Sequence, residues 1–195
     1  MGFRSVLAAV VLVFAGATAN AATVSNVGTF AGGTDFVSSG GGALVSSLHP
    51  SYVPNSATSE WVWDANLALS PVTFTHTFDL TGFDFTTASL SGIWGVDNYG
   101  SAFLNGNLIS SIAFGTSAFK TLTAYGAGSG FVAGVNTLTF EVVNTGTYTP
   151  GSNPAAFRAE ALVTAAVVPL PAALPLLAGG LGLLGLAGWR RKKSA

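Results

Sequence analysis

Between residues 72 and 80 the chain alternates without a fault. Val72, Phe74, His76, Phe78 and Leu80 fall on one side, and Thr73, Thr75, Thr77 and Asp79 on the other. A two-residue period is the repeat of a half-buried strand; a helix would scatter these side chains around its axis. The same period recurs over 88–96, where Leu90, Trp94 and Val96 share a face with Gly92 between them. It returns over 137–143, with Leu138, Phe140 and Val142 opposite Thr139 and Glu141, and over 157–167, with Phe157, Ala159, Ala161, Val163, Ala165 and Val167 on one face. Asn105-Gly106 splits 103–109 and predicts a tight hairpin, because both turn residues must take positive φ. Weaker strands are expected over 23–30, 61–63 and 119–125. No helix of ordinary length can be read between 22 and 167, and turn residues interrupt that stretch about every 8–12 positions. The expectation is an all-β, jelly-roll-like antiparallel β-sandwich of about eight strands. Two stretches rich in small residues, 32–47 and 144–154, are expected to be loops that pack little.

Both ends break this pattern. Arg4 precedes an apolar stretch over 6–15, and Ala19-Asn20-Ala21 follows it. That order makes a secretory signal peptide with cleavage expected after Ala21, and its apolar stretch is too short to span a bilayer. At the other end, an uncharged apolar run over 172–189 leads into Arg190, Arg191, Lys192 and Lys193. As a helix that run would extend about 27 Å at about 1.5 Å per residue, close to the hydrocarbon thickness of a bilayer. A basic cluster after such a run stays cytoplasmic, and Trp189 falls where an interfacial aromatic belongs. The sequence therefore divides into a signal peptide (1–21), an exported domain (22–167) and a tail (168–195) that is expected to cross the membrane with its end inside.

Charge sharpens this division. Of seven Lys and Arg, only Lys120 and Arg158 lie within 22–167, against all eight Asp and Glu, so the domain carries about −6. An acidic surface without a basic patch excludes nucleic acid and anionic headgroups as partners. The chain has no cysteine, which excludes a disulfide framework, a thiol nucleophile and any Cys-ligated metal.

The tail carries Val168-Pro169-Leu170-Pro171-Ala172, then the Gly/Leu-rich run, then the basic block. In these residues it resembles the VPLPA-CTERM variant of the PEP-CTERM protein-sorting domain. The resemblance implies recognition by an exosortase, a membrane-embedded cysteine transpeptidase-like enzyme of Gram-negative bacteria, which removes the tail. It implies a protein that is anchored in the inner membrane for a time. The product is then released or attached at the cell surface, in company with exopolysaccharide and biofilm. A plain C-terminal anchor is the simpler alternative, but it needs neither the proline pair nor the glycines.

Within the domain, Val96-Asp97-Asn98, Leu104-Asn105-Gly106, the run from Gly134 to Phe140 and Asn153-Pro154-Ala155-Ala156-Phe157-Arg158 resemble galactose-binding-like, carbohydrate-binding β-sandwich domains. These motifs are turn chemistry and speak to fold before ligand. Asp97, Asn98, Asn105 and Asn107 lie around one expected hairpin. Oxygen-rich loops of this kind can hold Ca²⁺ or bond sugar hydroxyls, and turns also favour Asp and Asn for their own sake. Trp61 and Trp63 share a strand face and offer either core packing or a stacking platform for sugar rings, with Tyr99 and Tyr125 as further aromatic surface. Glu60 and Asp64 flank them, and a carboxylate pair would serve a glycan hydrolase. His76 falls on an apolar face, as a buried hydrogen-bonded histidine does. His49 stands in a loop without an acidic neighbour. Glu141 and Glu160 are expected to face solvent or to pair with Arg158. No nucleophile elbow, zinc-protease, P-loop or dinucleotide motif occurs. The reading is a non-catalytic, carbohydrate-binding-like module of the extracellular matrix, with no required cofactor. The alternative is a structural or adhesive matrix protein without a ligand site.

Overall fold

The computed structural model describes residues 20–40, 42–44, 49–67, 70–115, 117–149 and 152–168, together with 179–182, 184 and 189 in the tail. The chain divides into two compact units, Asn20–Val168 and the two chain ends. Within the second unit, residues 179–182, Leu184 and Trp189 are helical. No helix among the described residues is long and apolar enough to cross a membrane. The expected span over 172–189, the motif residues Pro169 to Ala172, the basic cluster Arg190 to Lys193, and Ala19 fall mostly or wholly outside the described residues.

Asn20–Val168 is a β-sandwich. Its strands are β1 (Ala21–Gly28), β2 (Val37–Ser38), β3 (Gly42–Leu44), β4 (Val62–Asp64), β5 (Val72–Asp79), β6 (Phe83–Asp97), β7 (Tyr99–Leu104), β8 (Asn107–Ile112), β9 (Thr123–Ala127), β10 (Val135–Val143) and β11 (Ala156–Val167). One sheet runs β3-β4-β11-β6-β9 with β1 also on β11, and the other runs β2-β5-β10-β7-β8. All pairings are antiparallel.

Alternation fixes which face is buried. On β5, Val72, Phe74, His76 and Phe78 are buried while the threonines between them are not. On β10, Leu138, Phe140 and Val142 are inaccessible to solvent. Phe140 packs across the sandwich against Phe157 and Trp94 at ring distances of 5.0 and 5.3 Å. On β11, Phe157 to Ala165 follow the expected face, but Val167 at the strand's end is 46 % exposed. Gly92 lies on the inward register of β6, and a side chain there would collide with Glu160 O and the Tyr125 ring. Its absence lets Tyr125 reach across β6 and donate to Glu160 O at 3.0 Å.

The Asn105-Gly106 hairpin forms as expected, with φ of 50° and 80°. The loop expected over 32–47 is instead partly built in. Phe36 is buried in the core, β2 pairs with β5 and β3 pairs with β4. Short edge strands carry too few residues for a period to show. The strand expected over 119–125 lies later, at Thr123–Ala127, because residues 117–120 form a turn closed by Lys120 N–H to Ser117 O at 2.9 Å. β1 begins at Ala21, so a cut after Ala21 removes one rung of its pairing with β11.

Candidate functional site

The outward register of β6 and β11 should meet solvent, yet at one end of the sandwich it does not. Arg158 on β11 is 3 % exposed. Residues 53–60 cross over it: its Nε donates to Ser59 Oγ at 2.7 Å, Nη1 to Pro54 O at 2.5 Å and Nη2 to Ser56 Oγ at 2.8 Å. Nη2 also lies 3.7 Å from Glu160 Oε1. Burial lowers the Arg158 pKa and Glu160 opposes that shift. Glu160 would be raised by its own partial burial, but bonds from Ser59 and Thr58 and the Arg158 charge hold it below the usual carboxylate range. Beside Arg158, Gly95 of β6 leaves the space that Trp61 fills; a Cβ there would stand 2.7 Å from the indole. The indole Nε1–H donates to Val53 O at 2.7 Å, and the Trp61 amide donates to Asn55 Oδ1 at 3.0 Å. A second small core thus caps the outside of this sheet.

An aromatic column rises from it. Trp61 meets Tyr52 edge to face at 5.1 Å, and Tyr52 meets Phe119 at 4.8 Å. Lys120 Nζ stands 5.7 Å from the Phe119 ring centre. The Tyr52 hydroxyl donates to Asp97 Oδ2, and Asn98 Nδ2 donates to Asp97 Oδ1 at 2.6 Å. Burial raises the Asp97 pKa, and the bonds from Tyr52 and Asn98 only partly offset it. Burial and the Asp97 carboxylate both push the Tyr52 phenol far up, so the shared proton stays on Tyr52. The Asp97–Asn98 peptide is cis. Asn98 Oδ1 accepts from both the amide and the hydroxyl of Thr145 at 2.7 Å, which ties this corner to the 144–154 loop. In that loop Asn153 Nδ2 donates to Thr145 O at 3.0 Å and Thr147 O at 2.9 Å. His49 Nδ1 accepts the Ser51 amide at 3.2 Å, which leaves the ring proton on Nε2.

Together these residues wall an open pocket of about 360 Å³. The adjoining rings of Tyr52 and Phe119 line it with Asp97, Asn98 and Lys120, and His49, Ser51, Ser152, Asn153 and Pro154 complete the lining. A larger depression of about 560 Å³ lies along β2 and β5. It is lined mainly by threonine and serine, and its one ring, His76, has both nitrogens engaged, by Ser25 Oγ at 2.9 Å and Asp35 O at 2.7 Å. His76 is thus the buried, bonded histidine that its register predicts.

The expected contact set is redistributed. Trp61 and Trp63 are both fully buried, so neither is a stacking platform. Trp61 backs the pocket wall, while Trp63 packs on Phe74 of the opposite sheet at 6.2 Å. Asp97 and Asn98 do line the pocket. Asn105 does not: β7 separates it from Asn98, and six strand residues at about 3.3 Å each put it on the order of 20 Å away. There it locks the hairpin to β10, donating to Gly130 O and Asn136 Oδ1 and accepting from Thr137 N–H. The expected oxygen cluster of Asp97, Asn98, Asn105 and Asn107 therefore does not converge. Among the described residues no three His, Cys, Asp or Glu side chains gather as metal ligands would. Asp64, expected as half of an acid pair, is fully buried. It accepts the Gly40 amide at 2.6 Å and the Asn66 amide at 2.8 Å, so no substrate reaches it. Tyr52, Phe119, Lys120 and Asn153 were not singled out as contacts. One signal was present, since Lys120 is one of only two cations in the domain and the other is consumed by the Ser59 network.

No protein-family model matches the chain, and no curated protein sequence matches it. Solved structures similar to it include a family 35 carbohydrate binding module from Clostridium thermocellum, at 14 % identity and TM-score 0.39, covering 72 % of this chain and 97 % of that one. A family 35 module from Cellvibrio japonicus is similar at 13 % identity and TM-score 0.40, covering 72 % and 97 %. A family 35 module from an environmental isolate is similar at 11 % identity and TM-score 0.36, covering 75 % and 93 %.

Proposed function

We propose that this chain is an exported, non-catalytic carbohydrate-binding protein whose ligand enters the pocket beside Asp97. The observation that carries this reading is the composition of a wall whose side chains are already fixed. The Phe119 ring is offered beside amide, hydroxyl, imidazole and ammonium groups, several of them pinned by bonds inside the protein. A sugar presents hydroxyls around its rim and C–H bonds on its faces, and such a wall matches both at little cost in ordering. Retention of the full chain on gels containing soluble galactan, xylan, glucan, mannan or alginate tests the proposal. At least one polysaccharide should retard it, and Lys120→Met with Ser152→Ala should remove most of that retardation at unchanged melting temperature. No retardation by any of them overturns the carbohydrate reading and leaves a structural or adhesive matrix protein.

Delivery is the second part of the proposal. A signal peptide cut after Ala21 exports the domain. The tail from Val168 holds it transiently in the inner membrane until an exosortase-type enzyme reads Val168 to Ala172, and the product then reaches the surface or the exopolysaccharide. Intact mass of the protein recovered from its producing cells tests this. A mature form lacking Arg190 to Lys193 is expected; a form that retains them overturns the sorting reading.

A further inference from the structure

The residues just past the pocket have no role in it. β6 ends at Asp97 on the outward register of one sheet, and β7 starts at Tyr99 in the other. Tyr99, Ser101 and Phe103 alternate with the buried Gly100, Ala102 and Leu104, so Tyr99 faces outward. One residue, Asn98, separates it from Asp97, so their Cα atoms lie within about 7 Å. Against it stands Phe114, which is 68 % exposed, with ring centres 6.0 Å apart and planes at 86°. Phe114 and the pocket's Phe119 and Lys120 all come from the one connection between β8 and β9. That connection therefore supplies one ring to the pocket, Phe119, and another to Tyr99, Phe114.

A phenylalanine that gives up this much burial contributes little to the fold. Its face is available instead to a flat apolar surface, and a pyranose ring offers one through its axial C–H bonds. We propose that Tyr99 and Phe114 form a second subsite, continuous with the pocket over Asn98, so that the ligand is a polysaccharide bound along its chain and not a single sugar at a chain end. The inference rests on the carbohydrate reading above. Two linked contacts raise affinity because the second forms at high effective concentration once the first is made.

The test uses oligosaccharides cut from whichever polysaccharide retards the full chain, from the monosaccharide to the hexasaccharide, titrated by calorimetry. Affinity should rise about tenfold or more between the shortest and the longest. Phe114→Ala should abolish most of that rise while leaving monosaccharide affinity unchanged, and Tyr99→Ala should act in the same direction. Lys120→Met should weaken every length alike. Affinity independent of length overturns the subsite, as does a Phe114→Ala effect that is absent or equal at all lengths, and in those cases the pocket reading survives. If no oligosaccharide binds and the polysaccharides fail as well, both readings fall together.

Discussion

Arg158→Met is the sharpest probe of how the pocket is held. The substitution keeps the aliphatic stem and removes every donor. Three hydrogen bonds from a charged group disappear, to Ser59 Oγ, Pro54 O and Ser56 Oγ. Each is worth about 1.5–3 kcal/mol when its partner is left dry. Ser56 lies near solvent and can turn to water, and the cost of burying the guanidinium vanishes with it. Ser59 loses a partner where little water reaches, while Pro54 is exposed and its carbonyl can turn to water. Glu160 loses its cation but keeps bonds from Ser59 and Thr58 at 2.7 and 2.8 Å. The net loss should be about 2–3 kcal/mol, less than for a fully buried charged pair, because Glu160, Ser56 and Pro54 reach water. Urea unfolding of the full chain at neutral pH, followed by tryptophan fluorescence, reads it. Arg158→Lys should recover part of the loss, since one ammonium cannot fan out to three partners. A loss below about 1 kcal/mol would show that residues 53–60 stand without Arg158, and the account of the second core would be wrong.

Three further outcomes follow from other parts of the structure. Gly92→Ala places a methyl onto Glu160 O and 2.6 Å from Tyr125 Cε1, and should cost about 3 kcal/mol in urea unfolding; a cost near zero would mean that Tyr125 does not cross β6 there. Asn105→Ala should lower stability by about 2–3 kcal/mol, since it loses the bonds to Gly130, Asn136 and Thr137 and keeps a positive φ, whereas Asn105→Gly should lose less because the turn suits glycine. Asp97→Asn tests the raised Asp97 carboxyl. A carboxyl raised in the fold costs stability at neutral pH, and the native state regains it as pH falls through the folded value toward the ordinary ~3.9. The variant's stability relative to wild type should therefore be highest near pH 7 and decline as pH is lowered toward about 4. The opposite slope would contradict a raised carboxyl.

The long strands were legible in the sequence because each carries a whole alternation. Val72 to Asp79 and Val135 to Val143 differ from expectation by a residue or two at their ends. The Asn105-Gly106 turn was legible because its backbone restricts the residues that can occupy it. What could not be read was whatever depends on chain segments meeting over a sheet. Arg158 sits on an outward register, and alternation alone sends it to solvent; only the crossing of residues 53–60 buries it. Trp61 was ambiguous for the same reason, since its burial depends on the gap at Gly95. The pocket assembles from residues 49–52, 97–98, 119–120 and 152–154, and no local signal marks those stretches as neighbours. Asp97 and Asn98 were found through turn chemistry, and the same chemistry wrongly drew in Asn105, because it does not register the length of the strand between them.

β1 and β11 run side by side from Ala21 opposite Ala166, so the domain's first and last strands share one corner. β6 climbs from Phe83, paired with Val167 at that corner, to Asp97, paired with Ala156 beside the pocket. At about 3.3 Å per residue the two ends of that climb are on the order of 40 Å apart. Val168 therefore stands at one end of that climb, and the pocket beside Asp97 opens at the other. Substitutions at these two ends are too far apart to share a partner, so their effects on stability should add.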